Sequence, residues 1–72
     1  MPKLPRVSGE ETIRTLERLG FQRVRQRGSH VVLRHNKTGC VVPLHDELAS
    51  GTLRSILRRA GVSIEEFLNA LK

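Results

Sequence analysis

Two periodicities alternate along this chain. In "SGEETIRTLERLG" the apolar residues Ile13, Leu16 and Leu19 recur every three positions, the stripe of an amphipathic helix. Ser8 precedes the stripe and Glu11 follows it by three, a capping box that satisfies two of the orphan N–H groups of a first turn. Gly20 supplies the stop, so the spacing predicts a helix over about 9–19, with Arg14 and Arg18 on its other faces. The period then shortens. "FQRVRQR" reads as a strand from Phe21 to Gln26, closed by Gly28; "HVVLRH" is a second over about 30–35; "CVVP" is a third, ended by Pro43. "NKTG" between the last two is turn chemistry, with Asn36 and Gly39 able to take positive φ. Helical spacing returns at Leu53, Ile56 and Leu57, with Gly61 as the stop. Ser63 and Glu66 then form a second capping box, opening a short last helix that carries Phe67, Leu68 and Leu71.

The predicted order is α-β-β-β-α-α. Three strands with short links make an antiparallel meander, and helices with one apolar stripe each pack on one face of it, an α+β class. The other face stays open. On the second strand, if Val31 and Leu33 meet the helices, then His30, Val32 and Arg34 share the open face and His35 falls on the core side. A slip of one residue within "VVL" exchanges the two faces.

Seventy-two residues are read as one domain spanning 1–72, with one small core. Residues 1–7, with two of the three prolines, read as an extended lead-in. "MPKLPRVS" has no apolar signal segment, and no apolar run approaches the roughly 20 residues of a membrane span. Cys40 is the single cysteine and has no internal disulfide partner. These features make a cytoplasmic, membrane-free chain the expectation.

Charge changes the picture most. Thirteen Lys and Arg oppose seven Asp and Glu, for a net +6, and ten of the thirteen are Arg. Between Glu17 and Asp46 there is no acid, while Arg18, Arg23, Arg25, Arg27, Arg34 and Lys37 all fall inside. A nucleic acid is the matching polyanion, and the planar guanidinium suits its phosphates. A solvated basic face is the alternative that charge alone leaves open.

Within that span, "GSH" joins the first two strands. His30 can take or give a proton near neutral pH. RNA carries its own nucleophile, so a base on the 2′-hydroxyl and cations at the phosphate suffice to begin cleavage. Gly28 allows close backbone approach, and Ser29 can donate to a phosphate oxygen. Catalysis and a plain polar strand start both remain open on spacing alone. His45, in "VPLHDE", is either a complementary acid, part of a groove, or a surface residue. The His and Cys positions have no metal-ligand spacing, and there is no phosphate-cradling glycine loop, so no cofactor is expected. "TLRSILRRAGVSIEEFLNAL" has a helix-turn-helix outline, but its second helix leads with Glu65 and Glu66, which repel phosphate. Asn69 is its lone base-reading candidate. Arg54, Arg58 and Arg59 could flank a bound phosphate backbone.

Together, "GSH" at the second strand, "VPLH" at the end of the third and "GTLRSILRRAGVSIEEF" after it resemble the HicA (YcfA-like) toxins of bacterial toxin–antitoxin pairs. The likeness runs from "SGEETIRTLERLGF" onward. It implies a small double-stranded-RNA-binding-like fold and a metal-independent mRNA interferase that cleaves message and blocks translation. It also implies a HicB-type antitoxin partner covering the active site. It carries the catalytic role to His30, with Gly28 and Ser29 beside it, and sets His45 in the matching post-strand segment. Arg23, Arg25, Arg27, Arg34, Lys37 and Gly28 are the expected contacts to mRNA or other single-stranded RNA. With two Phe and no Trp or Tyr, base stacking is scarce, and loose sequence selectivity with strong salt dependence is expected. A non-catalytic RNA-binding module and a DNA binder using the C-terminal helices are the rival readings.

Overall fold

The computed structural model, which describes residues 3–72, runs α1 (Gly9–Arg18), β1 (Gln22–Arg27), β2 (His30–His35), β3 (Thr38–Pro43), α2 (Ser50–Ala60) and α3 (Ile64–Leu71). Met1 and Pro2, the start of the expected lead-in, lie outside the described residues. Both capping boxes form. The Glu11 N–H donates to Ser8 Oγ at 3.0 Å while the Ser8 N–H donates to the Glu11 carboxylate at 2.9 Å. Ser63 and Glu66 repeat the exchange at 3.0 Å each way. α2 differs: its N-cap is Ala49, with no side-chain cap, and it ends at Gly61 in the left-handed region at φ +70°.

The strands pair in the order β1-β2-β3, antiparallel throughout. β3 begins at Thr38, two residues before the predicted start, because the β2–β3 link is only Asn36-Lys37. Asn36 takes φ +57° there, whereas Gly39 sits inside β3 opposite Arg34 and supplies no turn. Gly28 opens the two-residue β1–β2 link at φ +55°.

The core lies between one sheet face and the helices. Val31 and Leu33 of β2 and Cys40 and Val42 of β3 are buried against Ile13 and Leu16 of α1 and Leu53, Ile56 and Leu57 of α2. α1 and α2 pack on β3, and α3 packs on α1 and α2, with Phe67 fully buried. The apolar stripe of α1 is wider than its hydrophobic residues suggest. Thr12 and Thr15 are buried too, each hydroxyl donating to the carbonyl four residues back, at 2.9 Å to Ser8 and 2.7 Å to Glu11. With their polar atoms satisfied within the helix, the two threonines pack as small hydrophobes. At its far end α1 ties to α3: Arg18 Nη1 donates to the Ala70 carbonyl at 2.7 Å, where the last carbonyls of a helix are unpaired.

Two junctions fix the chain between β3 and α2. Leu48 N–H donates to the carbonyl of buried Val7 at 2.8 Å, docking the lead-in. Gly9 N–H donates to the His45 carbonyl at 2.9 Å, and α1 approaches the Pro43–Leu44 backbone too closely there for a side chain. Among the described residues no helix is long and apolar enough to cross a membrane.

Candidate functional site

Residues directly opposite one another in an antiparallel pair point to the same face. The register therefore sorts every strand residue. On β2 and β3, His30 faces Pro43, Val32 faces Val41 and Arg34 faces Gly39, and these three pairs form the open face. Val31 with Val42 and Leu33 with Cys40 form the core face. The one-residue slip considered for "VVL" does not occur. His35 lies on the core side, its ring 5.3 Å from that of Phe21 and against Gly20.

β1 would not follow by simple alternation. Its pairing with β2 shifts between Arg23 and Arg25, a bulge at Val24. Before the bulge, Gln22 opposes Arg34 and Arg23 opposes Leu33; after it, Arg25 opposes Val32 and Arg27 opposes His30. The extra residue resets the parity, so Arg25 and Arg27 both join the open face while Arg23 goes to the helix side. The open face is then a grid of three rows: Arg27, His30, Pro43; Arg25, Val32, Val41; Gln22, Arg34, Gly39.

The same bulge separates Arg23 from the other arginines electrically. Its Nη2 donates to Glu10 at 2.6 Å and its Nε to Glu17 at 3.4 Å, both carboxylates on α1. The Glu10 hydrogen bond, reinforced by the charges of Glu10 and Glu17, raises its pKa above the ordinary arginine value. Glu11 and Glu66 are held in capping boxes, and Glu47 lies 4.0 Å from Arg6. Among the described residues, no carboxylate comes within ion-pair distance of Arg25, Arg27 or Arg34. The acids are drawn to the helix side and the linkers, and the open face keeps its positive charge.

His30 and His45 come to the same end of the sheet through the backbone. Leu44 N–H donates to the Ser29 carbonyl at 2.6 Å, clamping the Gly28-Ser29 turn to the segment that carries His45. Ser29, His30 and His45 are all exposed. Lys37, in the β2–β3 turn, lies at the opposite end of β2, beside the Arg34 row. The sequence-predicted residues thus divide. Gly28, Ser29, His30, Arg27 and His45 gather at one end of the sheet; Arg25 and Arg34 lie farther along the open face; Lys37 is remote and Arg23 is engaged elsewhere.

One feature escapes a strand-by-strand reading. Between β3 and α2 runs a groove of about 560 Å³, with Arg34 on one side and Arg59 on the other. Small residues at helical spacing on α2, Gly51, Thr52 and Ser55, leave the room for it. Their spacing beside the Leu53, Ile56, Leu57 stripe is the signal that marks this flank of the helix. Among the described residues no three of His, Cys, Asp and Glu converge where they could hold a metal ion.

No curated protein matches the chain. A family model describing the HicA toxin of bacterial toxin–antitoxin systems matches residues 9–62, from the first turn of α1 to just past α2, and takes in the whole sheet. With three quarters of its length matched, bulged strand and Gly-Ser-His turn included, the chain belongs to the HicA toxin family.

Proposed function

We propose that this chain, as a single domain over 1–72, is an mRNA interferase: a metal-independent endoribonuclease that blocks translation in the cytoplasm by cutting message. The observation that carries the reading is the row Arg27–His30 on an acid-free, solvent-open sheet face. Paired residues across antiparallel strands have Cα atoms about 4.5–5.5 Å apart, so a phosphate held by Arg27 lies beside the imidazole. His30 takes the proton of the 2′-hydroxyl. The 2′-oxygen attacks the adjacent phosphorus in line, and the bond from phosphorus to the 5′-oxygen breaks. The products are a 2′,3′-cyclic phosphate and a 5′-hydroxyl, the leaving oxygen receiving its proton from a general acid. His45, tied to the same end of the sheet, is the candidate for that acid. Arg27 and Arg25 offset the charge that grows on the phosphoryl oxygens, and Ser29 adds a donor. Arg34 and Lys37 extend the contact along the strand. Binding by phosphate contacts falls steeply with salt.

Family membership implies a cognate antitoxin. In this reading it is a HicB-type protein that inhibits by covering His30, drawn by the same cationic face. DNA binding through α2 and α3 is disfavoured. Glu65 and Glu66 front the second helix, and its Phe67 is consumed by the core.

Cleavage of a mixed-sequence RNA by the purified chain tests the proposal, with His30→Ala alongside. Loss of a general base costs on the order of 10²–10⁴ in rate. A parent that cuts and a variant that does not, with equal RNA affinity, is the expected result. Undiminished cutting by His30→Ala removes the histidine from the mechanism. A parent that binds RNA and never cuts it leaves a non-catalytic RNA-binding module.

A further inference from the structure

We propose that the groove between β3 and α2 is a base-binding subsite that gives the cleavage a sequence preference. The proposal rests on the RNA-cleaving reading, and it departs from the loose selectivity that the scarcity of aromatic residues suggests. At about 560 Å³ the groove falls within the roughly 300–1,000 Å³ of small-molecule sites, the right scale for a single nucleotide unit.

Its surfaces match the parts of a nucleotide. Val32 and Val41 oppose each other across β2 and β3 and both line the groove, Val41 46% exposed, an apolar platform on its strand side. Such a platform accepts the flat face of a base where an aromatic ring would usually stand. Thr52 and Ser55 line the helix side, and their hydroxyls can donate or accept, which is what reading a base edge requires. Arg34 and Arg59 stand at the groove with no carboxylate partner among the described residues, matched to the phosphates on either side of a bound base.

The position favours RNA over a protein occupant. His30, Val32 and Arg34 share one face of β2, and Val32 and Arg34 also line the groove, so a polymer crossing His30 and running along β2 reaches it. Four residues of strand place Arg34 about 13 Å from His30, a distance that one extended nucleic-acid strand spans continuously. A protein partner on its usual scale of about 800 Å² would need a broad surface, and this is a narrow cleft.

The test separates binding from cutting by using the His30→Ala chain, which leaves RNA intact. Fluorescence anisotropy measures its affinity for short labelled oligo(A), oligo(C) and oligo(U), and then that of Ser55→Trp and Arg59→Ala made in the same background. One oligomer is expected to bind about fivefold or more tighter than the others, the low end of a single base contact. Ser55→Trp, filling the groove, is expected to abolish that preference, and Arg59→Ala to weaken all three. Both positions are exposed, and circular dichroism melts report whether each variant folds. If Ser55→Trp does not fold, Ser55→Leu, a smaller filler at the same exposed position, carries the comparison. Equal affinity for the three oligomers, or a preference that survives filling of the groove, overturns the subsite. So does a result in which both variants bind RNA normally and lose only the antitoxin, which would make the groove a protein-docking surface. Should the His30-bearing parent cut no RNA, the cleavage reading fails while the oligomer preference still stands or falls by itself.

Discussion

Gly9→Ala separates local propensity from tertiary packing more sharply than any other single change. By propensity alone, alanine at the first helical residue gains roughly 0.5–1 kcal/mol over glycine. The structure reverses the sign. A methyl group built at Gly9 would fall within the envelope of the Pro43 carbonyl oxygen, with the Pro43 carbonyl carbon at 2.9 Å and Leu44 Cα at 3.0 Å. All three neighbours are backbone, so no side chain can swing aside. Either α1 or the end of β3 must move, and the Gly9 N–H bond to the His45 carbonyl, 2.9 Å long, is lost or stretched. Overpacking typically costs about 1–3 kcal/mol and a lost buried hydrogen bond about 1–3 more. Set against the propensity gain, the net is about 1–5 kcal/mol of destabilisation. A chain of this size carries on the order of 4–11 kcal/mol in total. At about 4–8 °C per kcal/mol, the melting temperature should fall by on the order of 5–40 °C. Thermal melts and urea titrations of parent and variant measure it. A variant that melts at or above the parent refutes the close-approach argument. The same shift loosens the Leu44–Ser29 clamp, so RNA cleavage is expected to fall more than folded fraction alone explains.

Further outcomes follow from the same geometry. Arg25→Ala and Arg27→Ala should each lower the slope of log affinity against log salt by about 0.7, the value for one lost contact to single-stranded nucleic acid. Arg23→Ala should leave that slope unchanged and cost at most about 1 kcal/mol of stability, as exposed ion pairs do, an effect that salt removes. Phe67→Ala should cost about 3–5 kcal/mol in urea unfolding, because the ring is fully buried although it lies beyond the family match; a cost under about 1 kcal/mol would detach α3 from the core. Burial raises the Cys40 thiol from 9.0 to about 11. The native state therefore holds the proton more tightly than the unfolded chain, and this stability is full below pH 9 and lost as pH rises toward 11. Stability should fall across that window, by at most about 2 kcal/mol once solvent screening is allowed for. A thiol reagent near pH 8 should label only unfolded chain, and rapid native labelling would contradict the burial.

Much of this protein is written locally. Ser8–Glu11 and Ser63–Glu66 mark two helix starts because a capping box needs only residues three positions apart in one chain segment. Gly28 and Asn36 mark the two hairpin links because each supplies a backbone conformation most residues avoid. The alternation of β2 put His30, Val32 and Arg34 on one face, and the pairing with β3 bears that out. The acid-free span pointed to a phosphate partner through charge alone.

Tertiary structure decided what no local pattern encodes. In "RVRQR" the alternation assigns Arg23, Arg25 and Arg27 to one face; the bulge at Val24 splits them, because where a strand inserts its extra residue depends on the partner it pairs with. Arg23 was expected with the RNA contacts and instead meets Glu10 and Glu17, carboxylates brought near by the packing of α1 rather than by sequence neighbourhood. The burial of Thr12 and Thr15 and the need for glycine at position 9 arise the same way, from surfaces that meet only when the chain has folded. The groove beside Val41 exists because α2 lies against β3 with small residues on that flank. Composition and period determine which elements form and which charges they carry; the register between strands and the seating of helices determine which of those charges face the same ligand.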